Sequence, residues 1–424
     1  ARQRGTESPK SAAPNADAAN GNGPLGNGSN GHAAIATPSG RRSSAANADT
    51  VFQLIACIDD REESFRRHLE EVCPQAETFG AAGFFSVAMY YRGAADAHYV
   101  PLCPIVIQPS HYVREDVMVR FEESHRRRAA TRAALGNASH QMHVGSRTIA
   151  GGALLTGLFG PLASVPLVAR VLFPRLTGQI RRLAASVVQP PPLTQLELER
   201  TTAEPGNVDG SIGFTVDEMI GIGQRLLTEI GLVERFAPLV FVMGHGSSSY
   251  NNPHKSAYDC GACGGGGGGP NARALAEMLN DIRVRDGLAE RGIRIPRETW
   301  FVGGIHNTCD DSVECFDLER LPKSHQRRFG EAFAAIDRAC DRNAHERCRR
   351  FVSAPLDLTF EGARRHVQGR SEDLAQTRPE FGHASTAICV VGRRERTRGL
   401  FMDRRAFLTS YDPTRDDSSG TILT

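Results

Sequence analysis

The 424-residue chain has no excess of charge of either sign. Lysine and arginine total 50 against 48 aspartates and glutamates. A dedicated nucleic-acid binder is usually strongly basic, so no nucleic acid is expected as a partner. Ten cysteines are too few and too scattered to staple a chain of this size, which excludes a disulfide scaffold. No charged opening followed by an apolar stretch reads as a secretory signal, so reduced thiols in a cytosolic compartment are expected. A mean hydropathy of −0.32 excludes a bundle of membrane spans. Large apolar side chains are almost absent up to about Asp49. Such a segment buries too little surface to offset its ordering entropy, so residues 1–49 are expected to be a disordered, low-complexity linker. The chain opens on Ala rather than Met, and a piece of something longer is expected.

What is present is enough apolar material for a core, 40% of the residues. It comes in an ordered pattern. Val51-Phe-Gln-Leu-Ile-Ala-Cys57 is a nearly continuous apolar run, the mark of a strand buried on both faces of a parallel sheet. Acidic residues at 59, 60, 62 and 63 then suit the start of a helix. Leu239 to Met243, Trp300 to Val302 and Ala387 to Val391 read as further buried strands, and Pro104 to Ile107 as a weaker one. Val216 to Ile230, Ala272 to Leu288 and Ser324 to Arg350 carry helical spacing. Strands alternating with helices predict an α/β fold with a largely parallel sheet. Gln189-Pro-Pro-Pro192 and the polar stretch up to Gly213 read as a connection.

No charge occurs from Ile149 to Ala169, close to the length that spans a bilayer. Pro161, Pro166 and several glycines interrupt the run. The expectation is a buried or interfacial helical hairpin, within an apolar helical insertion at about 145–190.

Chemistry collects where the strong strands end. The first runs into Cys57-Ile-Asp59-Asp-Arg61, the second into Gly244-His245-Gly-Ser-Ser-Ser249, the third into Gly303-Gly-Ile-His306-Asn307. In an open parallel sheet, sites form beyond the carboxyl ends of strands. Thiolates with an imidazole and a carboxylate suit tetrahedral Zn²⁺. Cys57 and Asp59 can reach one ion, and the planar fork of Arg61 can hold the carboxylate. Taken alone, Cys57 reads better as a core cysteine and Asp59 as a helix N-cap. Cys260-Gly-Ala-Cys263 adds thiols, but no second Cys-x-x-Cys exists, so a four-cysteine knuckle is excluded. The glycines after it lack the Lys-Ser/Thr ending of a phosphate loop. By spacing alone, Cys57-x-Asp59-x-Arg61 with His306-x-x-Cys309 is the β-carbonic anhydrase pattern. His245 with Cys260 is a rival pair, and the residues alone do not choose between them.

Six segments taken together resemble the DabA family. They are Cys57-Ile-Asp-Asp-Arg-Glu-Glu-Ser64, Gly244-His-Gly-Ser-Ser-Ser-Tyr-Asn-Asn-Pro253, Cys260-Gly-Ala-Cys-Gly264, Gly303-Gly-Ile-His-Asn-Thr308, Arg378-Pro-Glu-Phe-Gly382 and Arg405-Ala-Phe-Leu-Thr-Ser-Tyr-Asp412. The resemblance implies a partial DabA-like α/β zinc domain over 50–424, with a sheet like that of β-carbonic anhydrase. It implies Zn²⁺ on Cys57, Asp59, His245 and Cys260, with Asp59 and Arg61 catalytic and His306 and Cys309 in supporting roles. It also implies a DabB-like, cation-conducting membrane subunit as partner, and CO2 and bicarbonate as substrate and product. The chain is then expected at the cytoplasmic face of the inner membrane, peripheral and held through that partner. A stand-alone zinc hydrolase and a structural zinc module are the alternatives.

Overall fold

The computed structural model of the protein describes residues 50–185 and 193–422. The disorder expected for 1–49 and the Gln189–Pro192 part of the connection lie outside the described residues. In chain order the elements begin with β1 (Gln53–Cys57), α1 (Asp60–Val72), β2 (Glu77–Ala81), β3 (Met89–Arg92), β4 (Val100–Leu102) and β5 (His111–Val117). Three helices follow, α2 (Glu122–Gly145), α3 (Ile149–Leu172) and α4 (Pro174–Ala185). Then come β6 (Thr194–Glu197), α5 (Val216–Glu229), β7 (Leu239–Gly246), α6 (Lys255–Tyr258), α7 (Gly269–Asn280) and α8 (Ile282–Glu290). The last are β8 (Trp300–Asn307), β9 (Ser312–Cys315), α9 (Gln326–Cys348), α10 (Phe360–Glu372), β10 (Ile388–Val391) and β11 (Ala406–Thr409).

The main sheet has the order β2-β1-β7-β8-β9. Its first four strands are parallel and β9 is antiparallel at the edge. Side chains alternate between its two faces. Ile55, Cys57, Val240 and Val242 join a core with Leu226, Leu275 and Leu288 from α5, α7 and α8. Phe52, Leu54, Ala56, Phe241 and Met243 join a second core with Phe65 and Leu69 of α1 and Ile336 of α9. Helices thus cover both faces, which is why these strands read as unbroken apolar runs. The mixed α/β class and the parallel pairing are as expected.

Four readings are corrected. Pro104 to Ile107 is a turn, with Ile105 94% and Val106 88% exposed. An apolar run held by a proline-led turn has no neighbouring edge to pair with. Ile388–Val391 is a strand, but it pairs only with β11 in a separate two-stranded sheet and is largely exposed. Ala272 to Leu288 is two helices, because Asp281 leaves helical geometry and caps α8 through its own side chain. The polar stretch before Gly213 contains β6, which pairs antiparallel with β5 in a second, four-stranded sheet.

The insertion departs furthest from expectation. α3 is one continuous helix of 24 residues with Pro161 and Pro166 inside it and no buried residue. It is long and apolar enough to cross a membrane. Thr148 caps its start by accepting from the Gly151 N–H. The buried alternative fails because the neighbouring α2 and α4 touch this helix without burying any of its residues.

Candidate metal centre

The parallel register brings the carboxyl ends of β1, β7 and β8 level. Ala56 lies beside Met243, and His245 beside His306. Cys57, the last residue of β1, therefore faces the end of β7. Cys260 arrives in the loop after α6, where Cys260 N donates to Gly266 O and Gly265 N to Cys260 O. Gly264 and Gly265 take positive φ, 66° and 82°, a turn that glycine makes without strain. The glycine run is thus a backbone wrap around Cys260. Gly244 lets that wrap approach the sheet, since a Cβ there would lie 2.3 Å from Gly268 O.

Cys57, His245 and Cys260 converge, all buried, with donor atoms within 4.8 Å of one another. The two sulfurs are 3.9 Å apart. A tetrahedral zinc with Zn–S of about 2.3 Å spaces two sulfurs at about 3.8 Å. His245 Nδ1 is buried with no hydrogen-bond partner, a costly state for a ring nitrogen unless a ligand takes it. Gly83 closes the top: a Cβ there would stand 2.7 Å and 2.8 Å from the sulfurs of Cys260 and Cys57. Two thiols, one orphaned imidazole nitrogen and a fitted cradle suit a zinc ion. The rival pair, His306 and Cys309, does not join this cluster. His306 Nδ1 lies 2.8 Å from Glu62 and its Nε2 3.4 Å from Asp311, which Arg347 holds at 2.6 Å.

Asp59 is an N-cap and a fork partner at once. Its Oδ1 accepts from the backbone N–H of Arg61 at 2.9 Å, which caps α1. The Arg61 guanidinium donates to both its oxygens, at 2.8 Å and 3.0 Å. Asp59 Oδ2 is 3.1 Å from His245 Nε2, so the carboxylate borders the three-donor cluster while lying on Arg61. Burial opposes its ionisation, but the charges of His245 and Arg61 outweigh it and hold Asp59 well below the usual carboxylate range. Burial likewise opposes the charged form of His245, and Asp59 and Cys57 raise it well above the usual value. Contact with the Cys260 thiol, then burial, push Cys57 up. A cation among the three donors would reverse the thiol shift.

Sequence reasoning missed what surrounds Arg61. Its third donor, Nη1, reaches Glu380 at 3.0 Å. Asp60 is held by His383 at 2.7 Å and by the Thr386 hydroxyl at 2.5 Å. Glu380 sits in one of the six quoted segments, but a lone glutamate in a loop gives no signal of a partner 319 residues away. Gly83 gave none at all.

A family model described as "Probable inorganic carbon transporter subunit DabA" matches residues 30–424. The chain belongs to the DabA family. The match begins inside the stretch read as a low-complexity linker. Among its DabA relatives, one from Rhodopirellula baltica, "Probable inorganic carbon transporter subunit DabA 2", is 55% identical over 386 residues, 91% of this chain and 36% of that protein. A Sorangium cellulosum DabA is 48% identical over 88% of the chain, and a Methylococcus capsulatus DabA 47% identical over 88%. The chain thus spans about a third of the length of the DabA relatives it matches, 36% and 35% in these last two. No solved structure matches it.

Proposed function

We propose that this chain is the zinc-binding part of an energy-coupled inorganic carbon transporter, which captures CO2 and hydrates it to bicarbonate alongside a DabB-like, cation-conducting membrane subunit. One observation carries the reading: Cys57, His245 and Cys260 converge at the carboxyl edge of a parallel sheet, with Asp59 drawn onto Arg61 beside them. Relatives named as inorganic carbon transporter subunits supply the biological setting. The Cys57-x-Asp59-x-Arg61 turn on a parallel strand is what supports a β-carbonic anhydrase-like site.

Zn²⁺ would be held by Cys57, His245 and Cys260, with Asp59 as the fourth ligand whenever it leaves Arg61. The chemistry zinc supplies in such a site is Lewis acidity, which makes water acidic near neutral pH. Arg61 keeps Asp59 off the three donors, and a catalytic zinc needs that position open. The dry surroundings strengthen each of these charge contacts. Hydration of CO2 releases one proton per bicarbonate formed. At the half-exposed rim, His383, 3.4 Å from Asp59 Oδ2, is the group placed to receive it.

The chain would sit on the cytoplasmic side of the inner membrane, peripheral and held through its partner. The exposed apolar α3 supports this surface as the contact. The test is purification of the full-length complex from membranes, with zinc analysis and a CO2 hydration assay. The proposal expects about one zinc per chain, co-purification with a membrane subunit, and release by alkaline carbonate. Full hydration activity of the isolated chain would instead favour a stand-alone enzyme, and zinc with four fixed protein ligands a structural module.

A further inference from the structure

Arg61 is fully buried between two carboxylates. Asp59 takes its Nε and Nη2, and Glu380 takes its Nη1. The two acids are held very differently. Glu380 Oε1 also accepts from the hydroxyl of Ser247 and, at 3.0 Å, from that of Thr308. Those residues lie two beyond His245 and two beyond His306, so the ends of β7 and β8 and the start of α1 all fix one oxygen. Glu380 Oε2 has no hydrogen-bond partner, and Arg347 Nη2 stands 3.9 Å from it. Glu380 therefore keeps acceptor capacity in reserve. Asp59 borders the metal cluster, and besides Arg61 its Oδ2 stands near the rings of His245 and His383.

A buried guanidinium stripped of its only anion is strongly disfavoured. If Asp59 were that only anion, Arg61 would not release it. We propose that Glu380 is a positioning residue, the fixed counter-ion that lets Arg61 give up Asp59, so that Asp59 exchanges between Arg61 and the metal position. The proposal rests on the zinc reading above and adds to it a residue outside the ligand set. It sets a direction. With Glu380 neutral, Asp59 stays on Arg61 and the fourth metal position stands open. The wild type closes that position for part of the time.

The experiment uses the full-length complex with Co²⁺ in place of Zn²⁺, whose visible absorption reports ligands at the fourth position. Thiocyanate is titrated as the competing anion. Glu380→Gln is expected to bind Co²⁺ at the wild-type ratio and to take thiocyanate about tenfold more tightly, a usual size for coupling between sites. Loss of one negative charge would itself favour an anion, so the same change is made in an Asp59→Asn background. There Glu380→Gln is expected to give only the smaller gain that the lost charge itself accounts for. An equal gain in both backgrounds, or no gain in either, overturns the proposal. Should Glu380→Gln not fold, Glu380→Asp draws the carboxylate back from Arg61 and is expected to shift affinity in the same direction by a smaller factor. No shift, or a weaker affinity, overturns the proposal there. Failure of the wild type to bind Co²⁺ at all overturns the metal reading itself, and this proposal with it.

Discussion

Around Arg61, charged side chains are buried and paired; along Ile149–Leu172, apolar side chains are exposed and, among the described residues, uncovered. The first half of α1 shows one extreme. Asp60, Arg61, Glu62, Glu63 and Arg66 are all buried, and each has partners from distant elements, such as His383 for Asp60 and His306 for Glu62. Residues 122–185 show the other. They hold nine arginines and two acidic residues, and α2 and α3 bury no residue at all. A buried charge must be paired by the fold around it. An exposed apolar helix makes no such demand on its own chain, and a large exposed apolar patch marks a surface for a partner. The two regions meet at Tyr250, in the loop after His245. Arg170 and Arg181 lie over its ring at 4.9 Å and 4.8 Å, and Arg181 also reaches Glu372 at 2.8 Å.

The largest effect that separates the regions is on metal. Cys57→Ala, His245→Ala and Cys260→Ala should each take zinc from about one per chain to near none, while His306→Ala and Cys309→Ala retain it. Metal analysis of the purified variants checks this; zinc lost with His306 and kept without His245 would invert the ligand assignment.

Core packing comes next. Phe65 is fully buried and stacks on His306, with ring centroids 4.6 Å apart. Phe65→Ala should cost about 3–5 kcal/mol, read from urea unfolding midpoints.

The third effect is pH-dependent. Burial lowers the pKa of His306, but Glu62 and Asp311 outweigh it and raise it to about 9, against about 6.5 in the unfolded chain. The stability it contributes is complete below pH 6.5 and is lost as pH rises through about 9, a change on the order of 3 kcal/mol. His306→Gln should flatten that part of the pH profile. An unchanged slope between pH 6.5 and 9.5 would show that His306 stays neutral.

A smaller effect is expected at Gly83, where an added Cβ meets both sulfurs. Gly83→Ala should weaken zinc binding on the order of 10–100-fold, measured by competition with a chelator.

The smallest effect tests the contrast itself. Leu158 is 65% exposed, so Leu158→Ala should change unfolding free energy by less than about 0.5 kcal/mol. Membrane association of the full-length protein should weaken all the same. A stability loss as large as that of Phe65→Ala would show that α3 is covered in the whole protein.

Much of this contrast was legible in the residues. The runs at Val51, Leu239 and Trp300 gave three central strands, and the spacing over Val216 to Ile230 gave α5. Asp59 was readable both as a cap and as a partner of Arg61, and it is both. The insertion was readable as helical and apolar, but not as uncovered, because composition cannot say what packs against a face.

Sequence by itself determined the α/β class, the central parallel strands and the placing of Cys57, Asp59 and His245 at strand ends. Those outcomes follow from short-range periodicity and from residues that are neighbours in the chain. The tertiary structure brings His245 and Cys260, not His306 and Cys309, beside Cys57, a choice that the residues by themselves left open and only the family resemblance had made. The tertiary structure also decided that Glu380 closes the far side of Arg61, and that α3 lies bare. Each of these depends on which strands are neighbours and on loops that return from far along the chain. Crossovers and register set such contacts, and no local pattern encodes them.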